Sequence, residues 1–456
     1  MISLANRHLL QPFVAWKADS PHLKHLRTLE RTQFDSLDVI RERQFAALRD
    51  VVRHAEQTVP YYRDRWSLAG VRADSLRTLD DLARFPVLTK SDIRTNADRL
   101  RSEAYRGEVL YPKTTSGSTG VPLTVHWDEE SKAWKRACTL RSDQWSGWQF
   151  GTRVARLWGH GTADRGGWKA RLRRFFVDRE SFLNTLGIDR RRLRGFADHL
   201  RRRPPGLLFG HAHSLYLFAA FVRKHCRGTI SPDGVISAAM TLHDWQRGVI
   251  EEAFGQPVTN RYGCEEVSLI ACECEEHRGL HLNSDSVYCE VVPDNRLSGG
   301  PKAGRLLVTD LTNRAMPLIR YQVGDVVIPS ERTCPCGRGL PLIESVVGRE
   351  ADYVLTPTGA LISGISLTDH FATEIRGASQ VQIVQEKLTF LRLRMVPGEG
   401  FGPDSHQQIE TLVRNTFGPQ MRYEVELVDA IPQESSGKYR FCVSPVATAY
   451  LRSLAP

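Results

Sequence analysis

Apolar and polar residues follow two different periods along the chain. Between Leu37 and Ala69 the apolar residues recur at the spacing of an amphipathic helix, and Leu79 to Arg101 repeats the pattern around Pro86. After Gly107 short apolar runs bounded by turn residues predict strands, and these alternate with helical segments. Such alternation favours an α/β fold with mixed sheets. The predicted strands are Val154 to Trp158, Gly206 to Gly210, Gly234 to Ser237, Pro257 to Tyr262 and Arg305 to Thr309.

The length and a change in pattern predict two domains. A chain of 456 residues exceeds one ordinary hydrophobic core. The segment Val346 to Arg349 marks a boundary, because the residues after it have a βαβ-like composition of their own. We therefore predict a large N-terminal domain of residues 1–348 and a small α+β domain of residues 349–456.

Composition favours a soluble protein of the cytoplasm. The sequence has 41% hydrophobic and 25% charged residues. Its apolar stretches are shorter than the ~20 residues of a membrane span. Residues 1–17 lack the continuous apolar segment of a signal peptide. Nine unevenly scattered cysteines do not resemble a disulfide framework, so we expect reduced thiols. Because the apolar stretches are short, we also expect no membrane partner.

The net charge of +10 is concentrated in one window. Residues 165–203 contain thirteen basic side chains and four acidic ones. Two explanations of this excess of positive charge are equally good. One is a solvated surface of Arg-rich helices, and the other is a surface that attracts a phosphate-bearing cosubstrate or an acidic carrier protein. A nucleic acid is a less favoured partner.

The strongest local motif is the Gly-, Ser- and Thr-rich run from Thr114 to Pro122. Its glycines let the backbone approach a polyphosphate, and its amides and hydroxyls can donate to phosphate oxygens. The Gly-Lys-Ser/Thr ending of a Walker A loop is missing. Composition alone would fit an ordinary flexible surface turn better.

That run resembles the phosphate-binding signature of adenylate-forming ligases, and further motifs follow in the same order. Tyr262-Gly-Cys-Glu-Glu266 resembles the Tyr-Gly-x-Thr-Glu motif of that superfamily, and Tyr321-Gln-Val-Gly-Asp325 resembles its Tyr-Arg-Thr-Gly-Asp motif. Gly348-Arg349 and Ser436-Gly-Lys438 match its Gly-Arg and C-terminal Gly-Lys motifs. From Val59 to Arg440, the chain is most similar to the phenylacetate-CoA ligase and capsular-polysaccharide (CapK-like) branch.

The resemblance implies a role for each matched residue. Lys438, carried by a small mobile C-terminal domain, would be catalytic, since it would meet the charge that develops as pyrophosphate leaves. Glu266 would help to bind Mg²⁺, and Asp325 would accept hydrogen bonds from the ribose hydroxyls of ATP. The residues implied in ATP binding are Thr115, Ser116, Gly117, Ser118, Thr119, Gly120, Tyr262, Gly263, Asp325 and Arg349.

Some positions depart from these motifs. Glu265 stands where the superfamily has Thr or Ser, so two acids are adjacent there. Gln322 and Val323 replace Arg and Thr. Ala351 occupies the position of the expected hinge acid.

A second group of residues predicts a structural zinc site. Cys272, Cys274, His277 and His281 lie within ten residues, and Cys334-Pro-Cys336 supplies two more thiols on a tight turn. Thiolates and imidazoles suit tetrahedral zinc, and the resemblance agrees, because members of this branch can carry one. We predict Cys274, His281, Cys334 and Cys336 as ligands, with Cys272 and His277 as substitutes. Free reduced cysteines in turns are the alternative.

These motifs predict an ATP-dependent acid ligase. The chain would form an acyl-AMP from a small-molecule carboxylate and then transfer the acyl group, with CoA as the expected acceptor. Direct coupling to an amine, or transfer of AMP to a coenzyme, is the alternative. A nucleic-acid-binding protein that uses the Arg-rich window is a remote one. The sequence is compatible with a homodimer and does not identify the carboxylate.

Overall fold

The described part of the chain forms both helices and strands. The computed structural model describes residues 2–115, 123–158, 173, 177–185, 188–240, 242, 244–293, 303–347, 353–363, 367, 370–371, 374–431 and 441–454. Its α-helices are α1 Ile2–Ala5, α2 Gln11–Lys17, α3 His22–Thr32, α4 Leu37–Thr58, α5 Pro60–Leu68, α6 Lys90–Thr95, α7 Glu129–Gln144, α8 Arg190–Arg202, α9 Ala212–His225, α10 Asp244–Phe254, α11 Pro403–Phe417 and α12 Pro445–Leu454.

The strands are shorter and are concentrated after residue 110. They are β1 Tyr111–Thr115, β2 Leu123–Trp127, β3 Val154–Trp158, β4 Glu180–Asn184, β5 Leu207–His211, β6 Gly234–Ala238, β7 Val258–Cys264, β8 Ser268–Glu273, β9 Leu280–Leu282, β10 Val287–Pro293, β11 Gly304–Asp310, β12 Tyr321–Ser330, β13 Leu342–Val347, β14 Tyr353–Leu355, β15 Leu361–Ser363, β16 Ala378–Lys387, β17 Phe390–Pro397, β18 Arg422–Leu427 and β19 Cys442–Val443. The five strands predicted above coincide with β3, β5, β6, β7 and β11 to within a few residues, which confirms the α/β class.

The described residues form two compact units, each assembled from separated segments. The first comprises the described residues of Met1–Thr115, Leu123–Gly151 and Thr259–Gly348. The second comprises those of Thr152–Val258 and Arg349–Pro456. The predicted division of the chain into residues 1–348 and 349–456 stays a prediction.

An antiparallel sheet organises the first unit. Its strands lie in the order β10-β11-β12-β13-β9-β8-β7, and consecutive neighbours are antiparallel. One hydrophobic core contains residues of this sheet together with the apolar face of α4, whose Leu48, Val51, Val52 and Ala55 are all fully buried. The side chain of Ser36 accepts a hydrogen bond from the Val39 amide and so caps the start of α4.

The second unit contains a parallel sheet and a separate C-terminal core. Strands β4-β3-β5-β6 are parallel neighbours. Every residue of β5 and β6 is buried, as expected for strands covered on both faces. Toward the C-terminus, strands β18-β17-β16-β19 form a four-stranded sheet whose core includes Leu393 and Val413.

The Arg-rich window lies partly within the described residues. Helix α8 buries Leu193, Phe196 and Leu200, whereas Arg190, Arg191, Arg194 and Arg202 are exposed. Residues 165–172 lie outside the described residues. None of the described helices combines the length and the apolar composition that crossing a bilayer requires.

Tyr62 connects α5 to the segment that leads into β12. Its hydroxyl donates to the Pro317 carbonyl at 2.9 Å and accepts from the Ile319 amide at 3.0 Å. The side chain is 1% exposed, so neither backbone group has easy access to water as a replacement partner.

We therefore expect Tyr62→Phe to lower the free energy of unfolding by about 1–3 kcal/mol, because it leaves two buried backbone groups unpaired. Urea denaturation measures the change. Tyr105→Phe is the control, since the described residues provide no hydrogen-bond partner for the Tyr105 hydroxyl, and it should lower stability much less. Equal stability of both variants and the wild type would contradict the role of Tyr62.

Candidate functional site

The hairpin between β7 and β8 holds the first of the predicted site residues. Tyr262 and Gly263 lie in β7, and Glu266 follows in the turn. A Cβ atom at position 263 would lie 2.4 Å from the Ser268 carbonyl oxygen, so only glycine fits this close approach. The pairing register shifts between Tyr262 and Gly263. The turn buries Glu266 at 4% exposure and leaves Glu265, the residue that departs from the motif, exposed.

A second irregularity places Asp325 beside this hairpin. The register between β11 and β12 shifts within the motif Tyr321 to Asp325, and Gly324 has a φ of 89°. This left-handed conformation favours glycine, and bulges of this kind redirect the next side chain. Asp325 is 3% exposed, and the Tyr262 hydroxyl donates to its Oδ2 at 2.6 Å. The structure thus joins two motifs that are 63 residues apart in sequence.

Tyr321 joins the same two motifs a second time. Its hydroxyl donates to Glu266 Oε1 at 2.7 Å, and its side chain is fully buried. The Trp127 indole also donates to the Glu266 backbone carbonyl at 3.1 Å. The hydroxyl fixes the orientation of the carboxylate, since a short hydrogen bond to an ionised acceptor is strong and directional.

The result is a pair of buried carboxylates, each with a tyrosine donor. A buried carboxylate is costly unless donors or a cation compensate its charge. One oxygen of each group accepts from a tyrosine hydroxyl. Carboxylate oxygens are the ligands that Mg²⁺ prefers and the acceptors that sugar hydroxyls need, so the donor chemistry fits a magnesium nucleotide.

Several predicted residues cannot be placed in this site. Ser116, Gly117, Ser118, Thr119 and Gly120, together with Arg349 and Lys438, lie outside the described residues. Ala351, the departure at the hinge, lies outside them as well. Thr115 ends β1, but its side chain is not described.

A separate cluster of sulfur and nitrogen atoms lies in the first unit. Cys274 follows β8, His281 lies in β9, and Cys334 and Cys336 lie between β12 and β13. One ligand atom from each of these four side chains lies within 4.8 Å of all the others. Gly337, with a φ of 80°, closes the turn that presents both thiols. The structure therefore brings together the four residues predicted as ligands.

The two substitute residues lie outside this cluster. His277 contacts the Glu273 carboxylate at 3.2 Å through Nδ1. Cys272 is 1% exposed, and burial raises the pKa of its thiol. Cys272 lies in β8, two positions before Cys274, but it is not one of the four clustered side chains.

Burial leaves the cluster in need of a cation if its thiols ionise. Burial raises the pKa of the Cys274 and Cys334 thiols and lowers the pKa of His281 to about 4, so the imidazole is neutral at pH 7. His281 Nδ1 lies 3.0 Å from the Leu340 carbonyl and donates to it in the neutral ring. That tautomer leaves a lone pair on Nε2, which lies 3.4 Å from Cys336 Sγ.

Sequence reasoning missed the residues that support the carboxylates. Tyr321 belongs to one of the matched motifs, but the motif implies no role for its hydroxyl. Arg320 and Glu290, which pair beside it at 3.0 Å, carried no signal at all. The two partners lie 30 residues apart in the sequence, so no local pattern connects them.

Relatives of known identity support the resemblance drawn from the motifs. The chain is 29% identical over 347 residues to phenylacetate-coenzyme A ligase of Thermus thermophilus, covering 72% of this chain and 73% of the relative. It is 23% identical over 381 residues to protein CapK of Staphylococcus aureus, covering 81% of each. A family model described as the CapK C-terminal domain matches residues 354–445. The predicted resemblance is therefore confirmed.

The fold has a counterpart among solved structures. A structure of 2-hydroxyisobutyryl-CoA ligase in complex with 2-HIB-AMP and CoA aligns with a TM-score of 0.60 and covers 94% of both chains. The sequence identity is 21%, so this likeness establishes the fold alone.

Gly263 offers a test of the hairpin geometry. We expect Gly263→Ala to lower the free energy of unfolding by about 1–3 kcal/mol, because the new methyl group would collide with the Ser268 carbonyl. Gly195→Ala is the matched control, since Gly195 lies in helix α8 with open space around it and should gain about 0.5–1 kcal/mol. Chemical denaturation of both variants checks the opposite signs. A stability gain at position 263 would refute the close approach.

Proposed function

We propose that the chain activates a carboxylic acid as an acyl-AMP, with release of pyrophosphate, and then transfers the acyl group to the thiol of CoA. The observation that carries this proposal is the convergence of Tyr262, Glu266, Tyr321 and Asp325 from two separated motifs. The phenylacetate-CoA ligases among the relatives, which cover more than two thirds of the chain, support the same reaction class.

Asp325 and Tyr262 form the nucleotide end of the proposed site. Asp325 would accept hydrogen bonds from the ribose hydroxyls, and the Tyr262 hydroxyl at Oδ2 holds its carboxylate in one orientation. Tyr262 would also lie near the adenine. Preorganised acceptors of this kind position the nucleotide without a further ordering cost.

Glu266 forms the phosphate end. Its carboxylate would bind Mg²⁺ through the oxygen that Tyr321 does not occupy. When bound, the ion supplies charge neutralisation at the phosphate oxygens during displacement of pyrophosphate. Tyr321 keeps the carboxylate from rotating away.

The remaining roles rest on motif matches alone. The amides and hydroxyls of residues 115–120 would donate to the phosphates, and Arg349 would bind ribose or phosphate. Lys438 would stabilise the negative charge between the attacking carboxylate and the α-phosphate. We propose that residues 349–456 form the mobile small domain that carries Lys438.

The acceptor distinguishes CoA ligation from its alternatives. Mass analysis after incubation with ATP, a panel of carboxylates, CoA and amines should detect an acyl-CoA. An amide would favour an acid-amine ligase, and a stable adenylylated product would favour AMP transfer. The absence of any carboxylate-dependent exchange between pyrophosphate and ATP, together with steeply salt-dependent binding to nucleic acid, would refute the ligase proposal.

Lys438→Ala tests the catalytic assignment. We expect pyrophosphate exchange to fall by about a hundredfold or more, because a charge that acts in the transition state is lost, with ATP affinity largely retained. Lys387→Ala, which removes an exposed lysine from the same C-terminal segment, is the control and should exchange at the wild-type rate. Wild-type exchange in Lys438→Ala would remove its proposed role.

We further propose that the cluster of Cys274, His281, Cys334 and Cys336 holds a structural Zn²⁺. Zinc ligands ~2.0–2.3 Å from the ion lie roughly 3.3–3.8 Å apart. The Cys274 and Cys334 sulfurs are 3.6 Å apart, and Cys336 Sγ lies 3.4 Å from His281 Nε2, so the donor set fits. Four protein ligands leave no open position for catalysis.

Reduced thiols also suit the cytoplasm, which we propose as the location.

Metal analysis tests this site directly. Protein purified without chelator should contain about one zinc per chain, and Cys336→Ser should lose it together with part of its thermal stability, because the loop is no longer attached. His277→Asn is the matched control: it lies near the cluster, has a φ of 50° that asparagine tolerates, and should keep the metal. Full zinc content in Cys336→Ser would exclude this ligand set.

A further inference from the structure

Arg320, which directly precedes Tyr321, has an unusual backbone conformation. Its φ is 53°, in the left-handed region that costs a residue with a Cβ atom about 1 kcal/mol or more. Its side chain is only 7% exposed. A buried, strained residue persists only where surrounding contacts hold it, and such residues concentrate at functional sites.

The Arg320 guanidinium is held on two sides. Nε lies 3.1 Å from each oxygen of Glu290, and Nη2 lies 3.0 Å from Oε1. Nη1 donates to the backbone carbonyls of Ala83 and Phe85, with a distance of 2.8 Å to the first. The planar fork of arginine can make these bonds at once, whereas a lysine ammonium cannot reproduce them.

The Arg320 backbone fixes the start of β12 as well. Its amide donates to Thr309 Oγ1 at 3.0 Å, and its carbonyl accepts from the Leu88 amide at 3.1 Å. The Leu88 carbonyl in turn accepts from the Gln322 amide at 2.9 Å. Tyr321 therefore lies between two backbone bonds to the same residue, and the Arg320 side chain holds the segment that supplies them.

Tyr321 connects the fixed start of β12 to Glu266, the proposed magnesium ligand. Its hydroxyl donates to Glu266 Oε1 at 2.7 Å from a fully buried position. A shift of the start of β12 by a fraction of an ångström would weaken this bond and free the carboxylate to rotate.

We propose that Arg320 is a positioning residue for magnesium-dependent nucleotide binding: with Glu290 it holds Tyr321 in the place from which the hydroxyl orients Glu266. This inference rests on the proposed function, since it assigns Glu266 to Mg²⁺. On this proposal, the Mg²⁺ concentration needed for ATP binding depends on the Arg320 guanidinium, although that group contacts neither the metal nor the nucleotide.

Equilibrium binding of ATP, measured by calorimetry at a series of Mg²⁺ concentrations without carboxylate, tests the proposal independently of turnover. The quantity compared is the Mg²⁺ concentration that gives half of the maximal increase in ATP affinity. For Arg320→Lys we expect this concentration to rise about tenfold, the size of effect that is typical when one charged hydrogen bond is weakened. Excess Mg²⁺ should restore wild-type affinity, and binding of ATP without Mg²⁺ should not change.

Tyr321→Phe should shift the Mg²⁺ dependence in the same direction. The double variant Arg320→Lys/Tyr321→Phe should be no worse than Tyr321→Phe alone, because both changes act on one hydrogen bond. Arg141→Lys is the matched control. Arg141 is 1% exposed and bonds Asp285 and Asn283 at 2.7 Å each, so its replacement should lower stability without moving the Mg²⁺ dependence.

Four outcomes would overturn the proposal. An Arg320→Lys protein with the Mg²⁺ dependence of the wild type would do so, as would one that binds ATP more weakly to the same extent with and without Mg²⁺. If Arg320→Lys does not fold, Glu290→Gln replaces it, and unchanged Mg²⁺ dependence there would count equally against the proposal. If wild-type protein binds ATP with no effect of Mg²⁺, the proposed role of Glu266 fails first and this inference fails with it.

Discussion

The candidate site depends on two hydrogen bonds from tyrosine hydroxyls to buried carboxylates. Tyr262 donates to Asp325, and Tyr321 donates to Glu266, so each motif supplies one donor and one acceptor. An unpaired carboxylate at 3–4% exposure would be costly, and both bonds reduce that cost. The reciprocal arrangement also fixes the relative position of β7 and β12, which are separated in the sheet by β13, β9 and β8. The contacts that stabilise the site therefore also set its proposed geometry for a nucleotide.

The antiparallel sheet of the first unit carries both the carboxylates and the thiol cluster. Strand β8 pairs with β7, which bears Tyr262, and with β9, which bears His281. Strand β13 pairs with both β9 and β12. A metal at the cluster would therefore attach the loop between β12 and β13 to the neighbouring strands β8 and β9 of the same sheet. Its expected contribution is stability, since all four ligands come from the protein.

Local irregularities, rather than regular strands, shape the site. Gly263 permits a close approach within the hairpin, Gly324 allows a left-handed bulge, and Arg320 holds a left-handed conformation without being glycine. Each lies within one or two residues of a side chain in the proposed site. A register shift changes the face to which the following side chains point, so the irregularities beside Tyr262 and Asp325 help to set the directions of both side chains.

The sequence by itself determined the α/β class, the positions of the main strands, the ordered motifs and the six candidate residues from which the cysteine and histidine cluster is drawn. These features are local, because period, turn chemistry and short motifs are readable within a few residues. Only the tertiary structure decided which of two adjacent acids is buried, that His277 and Cys272 lie outside the cluster, and that Tyr321 donates to Glu266 beside the Arg320–Glu290 pair. Those outcomes depend on strand register and bulges that bring distant segments together, and a shift of one residue reverses the direction of a side chain.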